Sequence, residues 1–251
     1  MKAVILAAGK GTRIGEFTAK NNKCLIPVEG QPLITYHIDN FARVECITEC
    51  IIVVEYKAEG IIQQVGRSRN GVKITYCYQP EDKERGIIPS IESAIDVIND
   101  DFILVLGDEF VYKNHYKEAI EEFYKRQLQC MVGMIETENI EEVKKNYTFR
   151  IRENGCLYDF VEKPEIPYNS YIGTGNIIFR KDVCELLSLV PMNSIRRERE
   201  LVDLFQRIIQ KGNLIHPYIV GEAYFNINTI HDYERLKQFL NSRRDKEYVY
   251  E

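Results

Sequence analysis

Lys2-Ala3-Val4-Ile5-Leu6-Ala7-Ala8-Gly9-Lys10-Gly11-Thr12-Arg13 is the stretch from which the fold is read. Residues 2–8 form a short apolar run that stops at Gly9, the composition of a strand buried on both faces. Two glycines then open a strand-to-helix turn, where backbone amides can approach a phosphate closely and point at it. Lys10 and Arg13 add a mobile and a forked positive charge beside those amides. The spacing is neither the GxGxxG dinucleotide fingerprint nor the P-loop, which requires a closing Gly-Lys-Ser/Thr. Taken alone, it would also suit an ordinary tight turn.

Outward from this stretch, apolar positions at helical spacing run over 33–44. β-Branched runs follow at 51–54 and 72–78. Residues 89–99 form an amphipathic helical pattern with Pro89 at its first position. A fourth strand, 102–106, ends in Gly107-Asp108. Strands alternating with helices at this spacing predict βαβ units and a mainly parallel sheet. After about residue 128 the strand-like runs 130–135, 148–152, 156–162 and 171–179 come with only short helical patterns between them. They predict an antiparallel addition to the sheet. Helices are expected at 198–211 and 230–241, flanking strands near 214–220 and 223–227, with a charged tail that frays from Asn241. The expected fold class is α/β, a Rossmann-like mixed, mainly parallel sheet flanked by helices, with 1–251 forming one domain.

Composition bounds the function. A chain of 251 residues, 45% hydrophobic and 28% charged, can bury a substantial core without disulfides. Its net charge of −5 argues against nucleic-acid and anionic-membrane partners, which usually require a basic face. Cysteines at 24, 46, 50, 77, 130, 156 and 184 include no CxxC pair, so they predict free thiols in a cytoplasmic protein. The apolar start is too short for a signal peptide or a membrane span. His37, His115, His216 and His231 lack metal-ligand spacing.

Further along, Lys23 precedes Leu25-Ile26-Pro27-Val28 and then Gly30-Gln31-Pro32-Leu33-Ile34. The stretch 3–34 resembles the signature of the sugar-1-phosphate nucleotidyltransferases, LAAGxGTR followed by a KP-L-P-V segment and G-x-P-L-I. Cys24 stands where the family has proline after the lysine. The resemblance continues to residue 239. Gly107-Asp108 matches the family's metal-binding GD, and Phe160-Val161-Glu162-Lys163-Pro164 its EKP segment. Gly175 with Ile177-Ile178-Phe179 matches G-I-Y-V-F, and Arg199-Glu200-Leu201-Val202-Asp203 resembles the E-L-T-D helix opening. Asn226-Ile227-Asn228-Thr229 with Asp232-Tyr233 matches D-I-G-T-P-E-D-Y.

The resemblance implies transfer of a nucleotide from a nucleoside triphosphate, a pyrimidine one by the match at Gln79 and Gly86, to a sugar 1-phosphate. Nucleotide contacts are then implied at Leu6, Ala7, Ala8, Gly9, Gly11 and Thr12 as well. Arg13, Lys23 and Lys163 are the implied catalytic cations, and Glu162, Lys163, Thr148 and Gly175 the implied acceptor contacts. Asp108 and Asn226 are the implied Mg²⁺ ligands, Asn226 standing where many relatives carry aspartate. Thr148 replaces a glycine of the family pattern, which narrows the acceptor space or moves the contact. About 1–128 would form the nucleotide half and about 129–240 the acceptor half.

The chemistry suits this residue set. A phosphate monoester is already anionic near neutral pH, with a second pKa near ~6, so no general base is needed. The difficulty is bringing two polyanions together, which asks for positioning and positive charge. Two other readings stay open on the residues alone. One is a cytidylyltransferase acting on a non-sugar phosphate or phosphonate such as phosphocholine. The other is a non-catalytic regulatory protein that binds nucleotide sugars. Homo-oligomers are common in the family.

Overall fold

The computed structural model describes residues 1–80, 84, 86–194 and 196–247, with side chains as far as Arg243. A ten-stranded sheet runs through the molecule. Lys2–Ala7 lies inside its parallel part, pairing with Phe102–Leu106 on one side and Glu49–Val54 on the other. Glu49–Val54 pairs in turn with Val72–Tyr78, also in parallel.

The apolar run at the N-terminus follows from two-sided burial. Ala3, Ile5 and Ala7 enter one core with Ile38, Phe41 and Phe123. Val4, Leu6 and Ala8 enter the other with Ile88, Leu104 and Phe205. Alternate side chains of a strand point to opposite faces, so a strand covered on both faces needs apolar residues at every position. Ile5, Ile52 and Leu104 are fully buried, each contributing roughly 1.5–3 kcal/mol over an exposed side chain.

Beyond Phe102–Leu106 the pairing reverses. Tyr171–Phe179 runs antiparallel to that strand and to Cys130–Glu136. Tyr147–Ile151 and Leu157–Glu162 continue the antiparallel part, whereas Ile215–Ile219 lies parallel to Cys130–Glu136. The antiparallel addition therefore begins where the sequence rhythm changes.

Several boundaries differ from expectation. The helix over 89–99 is Ile87–Glu92, and Pro89 is its third residue. Proline is tolerated there because the first N–H groups of a helix have no intrahelical partner. The helix over 198–211 is Leu201–Gln210. The last helix, Ile230–Glu247, continues past Asn241, where fraying was expected; the rest of that tail, 248–251, lies outside the described residues. Helices Ala58–Val65 and Tyr116–Lys125 also form.

A separate two-stranded ribbon matters most for the site. Glu109–Asn114 pairs antiparallel with Gly221–Asn226, and its register sets Asn226 opposite Glu109. Ile227 N–H donates to Asp108 O at 3.0 Å, extending the ribbon by one step. Phe110, Ile227, Leu236 and Leu240 share a small core that seats the last helix on this ribbon. Two polar residues far apart in the chain, Asp108 and Asn226, thereby become neighbours.

Candidate active site

The glycine turn owes its shape to Lys23. Gly11 has φ 60°, and a Cβ there would lie 2.7 Å from Lys23 Cβ and Cδ. Glycine is required both for the left-handed backbone and to let the lysine stem pass. Lys23 is 6% exposed, with Nζ paired to the Asp108 carboxylate and donating to Asn228 Oδ1 at 3.0 Å.

Asn22, fully buried, fixes the turn that carries this lysine. Its Nδ2 donates to Ala7 O at 2.9 Å and Tyr56 O at 2.7 Å, and its Oδ1 accepts from Cys24 N–H at 2.9 Å. One side chain thus ties the ends of two parallel strands to the lysine turn. Cys24 packs where a Cβ on Gly107 would come within 2.8 Å of its Sγ, so the thiol and the glycine are fitted to each other. Burial pushes the Cys24 thiol far above its ordinary range, leaving it an inert packing group.

Two adjoining clefts meet at Ile87, Leu106 and Asp108. The smaller, about 230 Å³, is lined by Leu6, Ala8, Gly9, Gly11, Gln79 and Gly86, together with Lys10, Lys23 and Ser90. Gln79 is held in place: Nε2 donates to Glu84 O at 3.1 Å, and Oε1 accepts from the Ser90 hydroxyl at 2.6 Å. Ala7 is buried and Thr12 stands exposed on its turn; neither lines this cleft.

The larger cleft, about 600 Å³, is lined by Arg13, Glu162, Lys163, Gly175 and Asn226, with Tyr147, Lys144, Lys145 and Arg199 around them. Glu162 is largely buried, which raises its carboxyl above the ordinary range, whereas Lys163 is 56% exposed. Lys163 N–H donates to Asn146 O at 2.6 Å, anchoring the backbone under that mobile cation. Gly175 is forced by packing, since a Cβ there would lie 2.3 Å from Leu106 Cγ. Thr148 is placed otherwise than expected. It is fully buried, its hydroxyl accepts from Tyr168 N–H at 3.2 Å, and it lines neither cleft; Asn146 and Tyr147 face the larger one.

Three polar residues of the site escaped the sequence reading. Glu109, 1% exposed, accepts from Tyr224 O–H at 2.6 Å, Gly175 N–H at 3.1 Å and Asn176 Nδ2 at 2.6 Å. Burial pushes its carboxyl up to about 8 in spite of those donors. Asn228 gathers Lys23 and, at 3.1 Å, Arg13 Nη2 on one carbonyl oxygen. Asn22 is the third. Arg199, in the stretch that resembles E-L-T-D, lines the larger cleft but is bonded to Glu92 at 2.7 Å and Glu84 at 3.0 Å.

The donor set suits Mg²⁺. Among the described residues no cluster of three His, Cys, Asp or Glu forms. Asp108 and Asn226 offer hard oxygens at one edge of the larger cleft. Mg²⁺ is usually held by one or two protein oxygens, with phosphates and water completing its octahedron. Asn226 Nδ2 donates to Asn146 Oδ1 at 3.3 Å and its Oδ1 accepts from Asn228 Nδ2 at 2.6 Å, which fixes the amide with a lone pair to spare.

The family model described as Nucleotidyl transferase matches residues 2–242. The UTP–glucose-1-phosphate uridylyltransferase AglF of Haloferax volcanii is 29% identical over 243 residues, covering 96% of each chain. A glucose-1-phosphate thymidylyltransferase of Streptomyces griseus is 27% identical, covering 92% of this chain and 64% of its own. Among solved structures, UDP-glucose pyrophosphorylase complexed with UDP-glucose superposes with a TM-score of 0.83 at 22% identity, covering 96% of this chain and 98% of that one.

Proposed function

The chain belongs to the nucleotidyl transferase family, and from that premise we propose that it joins the nucleotide of a pyrimidine triphosphate to a sugar 1-phosphate, releasing pyrophosphate. The observation that carries the proposal is the meeting of two clefts at Asp108, with Lys23 against that carboxylate and Arg13, on the larger cleft, joined to Lys23 through Asn228. The sugar as acceptor is supported by the names of the relatives from Haloferax volcanii and Streptomyces griseus.

In this reading the smaller cleft takes the nucleotide. Gln79 presents one donor and one acceptor to a pyrimidine edge, and Gly86 admits the base close to the backbone. The amides around Gly9 and Gly11, with Arg13, hold the β- and γ-phosphates and stabilise the charge of the departing pyrophosphate. Lys23 serves the α-phosphate, where charge redistributes as the new bond forms. Lys163 draws in the acceptor phosphate, and Glu162 accepts hydrogen bonds from acceptor hydroxyls. Asp108 and Asn226 would hold Mg²⁺, which would offset phosphate charge. No residue is asked to take a proton from the nucleophile, because that oxygen is already anionic. The chain acts as one catalytic unit in the cytoplasm.

A thermal-shift panel of nucleotide sugars tests this directly, since the product occupies both clefts. At a hundred times its dissociation constant a ligand stabilises by about 2.7 kcal/mol. For a chain of this size that is a rise of about 5–10 °C. A pyrimidine nucleotide sugar should give that rise and outdo its parent monophosphate. No shift with any nucleotide sugar would overturn the proposal.

A further inference from the structure

Asn228 occupies the glycine position of the D-I-G-T pattern; it lines the larger cleft and is bonded to Lys23, which lines the smaller one. Its Oδ1 accepts from Arg13 Nη2 at 3.1 Å and from Lys23 Nζ at 3.0 Å. Its Nδ2 donates to Asn226 Oδ1 at 2.6 Å. Its backbone N–H donates to Asp232 Oδ2 at 3.1 Å, and the same carboxylate oxygen accepts from Thr229 N–H at 2.8 Å. Asp232 sits in the first turn of the last helix, so Asn228 is mounted on a capped, packed element. A single amide thus joins the glycine turn, the lysine turn and the ribbon bearing Asn226.

Two cations within hydrogen-bond reach of one oxygen repel each other unless something holds them. Asp108 compensates Lys23, whereas Arg13 is exposed and its hydrogen bond is to Asn228. Arg13 uses one of five N–H donors there, and Lys23 keeps a donor beyond those facing Asp108 and Asn228. Both therefore stay anchored with donors left for phosphate oxygens. An unanchored arginine would have to lose its rotamer freedom on binding, a cost the tether removes in advance.

We propose that Asn228 is a positioning residue that tethers Arg13, beside a Lys23 already held by Asp108, for the triphosphate before it arrives. This rests on the nucleotide reading of the smaller cleft. The predicted signature is coupling: removing the Asn228 side chain weakens triphosphate binding because Arg13 is released, so the loss largely vanishes once Arg13 is gone.

The test is calorimetric titration with UTP and dTTP in EDTA, free of divalent metal and of turnover. It compares wild type, Asn228→Gly, Arg13→Met and the double variant. Asn228→Gly should weaken binding about tenfold in the wild-type background and less than threefold in the Arg13→Met background. Steady-state assays with metal should show this loss mainly in the KM for triphosphate. An effect below threefold in the wild-type background, or at least threefold in the Arg13→Met background, overturns the inference. Asn228→Ala repeats the test if the glycine loosens the turn, with thermal melts confirming the fold of each variant. Wild-type protein that binds neither these two triphosphates nor CTP overturns the nucleotide reading itself, an outcome distinct from unaltered binding by the Asn228 variants.

Discussion

At the scale of single residues, the site depends on a few charges held in fixed positions. Asp108 faces both clefts and pairs with Lys23, so its loss removes a proposed metal ligand and a lysine partner together. Asp108→Ala is expected to lower metal-dependent turnover by at least about 100-fold, the scale seen when one electrostatic group leaves a preorganised site. Far-UV circular dichroism should be unchanged, because Asp108 lies outside the strands it joins. Arg13, Lys23 and Asp108 were legible in the sequence because each sits within a contiguous pattern. Glu109, Asn22 and Asn228 were not, since their meaning lies in partners such as Tyr224, Tyr56 and Arg13, distant in the chain. Thr148 was misplaced for a related reason: a position in a motif does not say which face of the sheet the side chain takes.

At the scale of elements, the glycine turn and its strand were readable from composition, whereas only one strand of the ribbon by the site, near 223–227, was expected. Glu109–Asn114 has Phe110 and Val111 buried and Lys113 exposed, too weak an alternation to mark a strand without its partner Gly221–Asn226. The last helix holds that ribbon through its start. Asp232 Oδ2 accepts from the N–H groups of Asn228 and Thr229, and Thr229 Oγ1 accepts from Asp232 N–H at 3.2 Å. Asp232→Ala is expected to cost about 1 kcal/mol, the usual loss for a helix cap, read by urea denaturation. Its catalytic loss should exceed that of a Lys237→Ala control farther along the same helix, where Lys237 pairs with Glu234.

At the scale of the whole molecule, two buried titratable groups pull stability in opposite directions with pH. His37, 2% exposed, is pushed down to about 4 by burial, from an ordinary value of 6.5. Its contribution is present above 6.5 and lost as pH falls toward 4. Glu109, raised to about 8, contributes fully below its ordinary 4.5 and loses that contribution as pH rises toward 8. The two oppose each other between pH 5 and 7, so the wild-type profile conceals both. His37→Leu isolates one of them. Relative to wild type, its unfolding free energy should rise by about 2 kcal/mol on going from pH 7 to pH 5, measured by urea denaturation at each pH. A constant difference would show that His37 is not held neutral.

The sheet that carries both clefts was readable as a class of fold, parallel first and antiparallel after residue 128. Which residues meet across it depended on the register of the ribbon. The most direct test is pyrophosphate release from a panel of nucleoside triphosphates crossed with acceptor phosphates in the presence of Mg²⁺. Release is predicted with a pyrimidine triphosphate and a sugar 1-phosphate together, and none when either is left out. Release with phosphocholine or another non-sugar phosphate, and none with any sugar 1-phosphate, would contradict the proposed function.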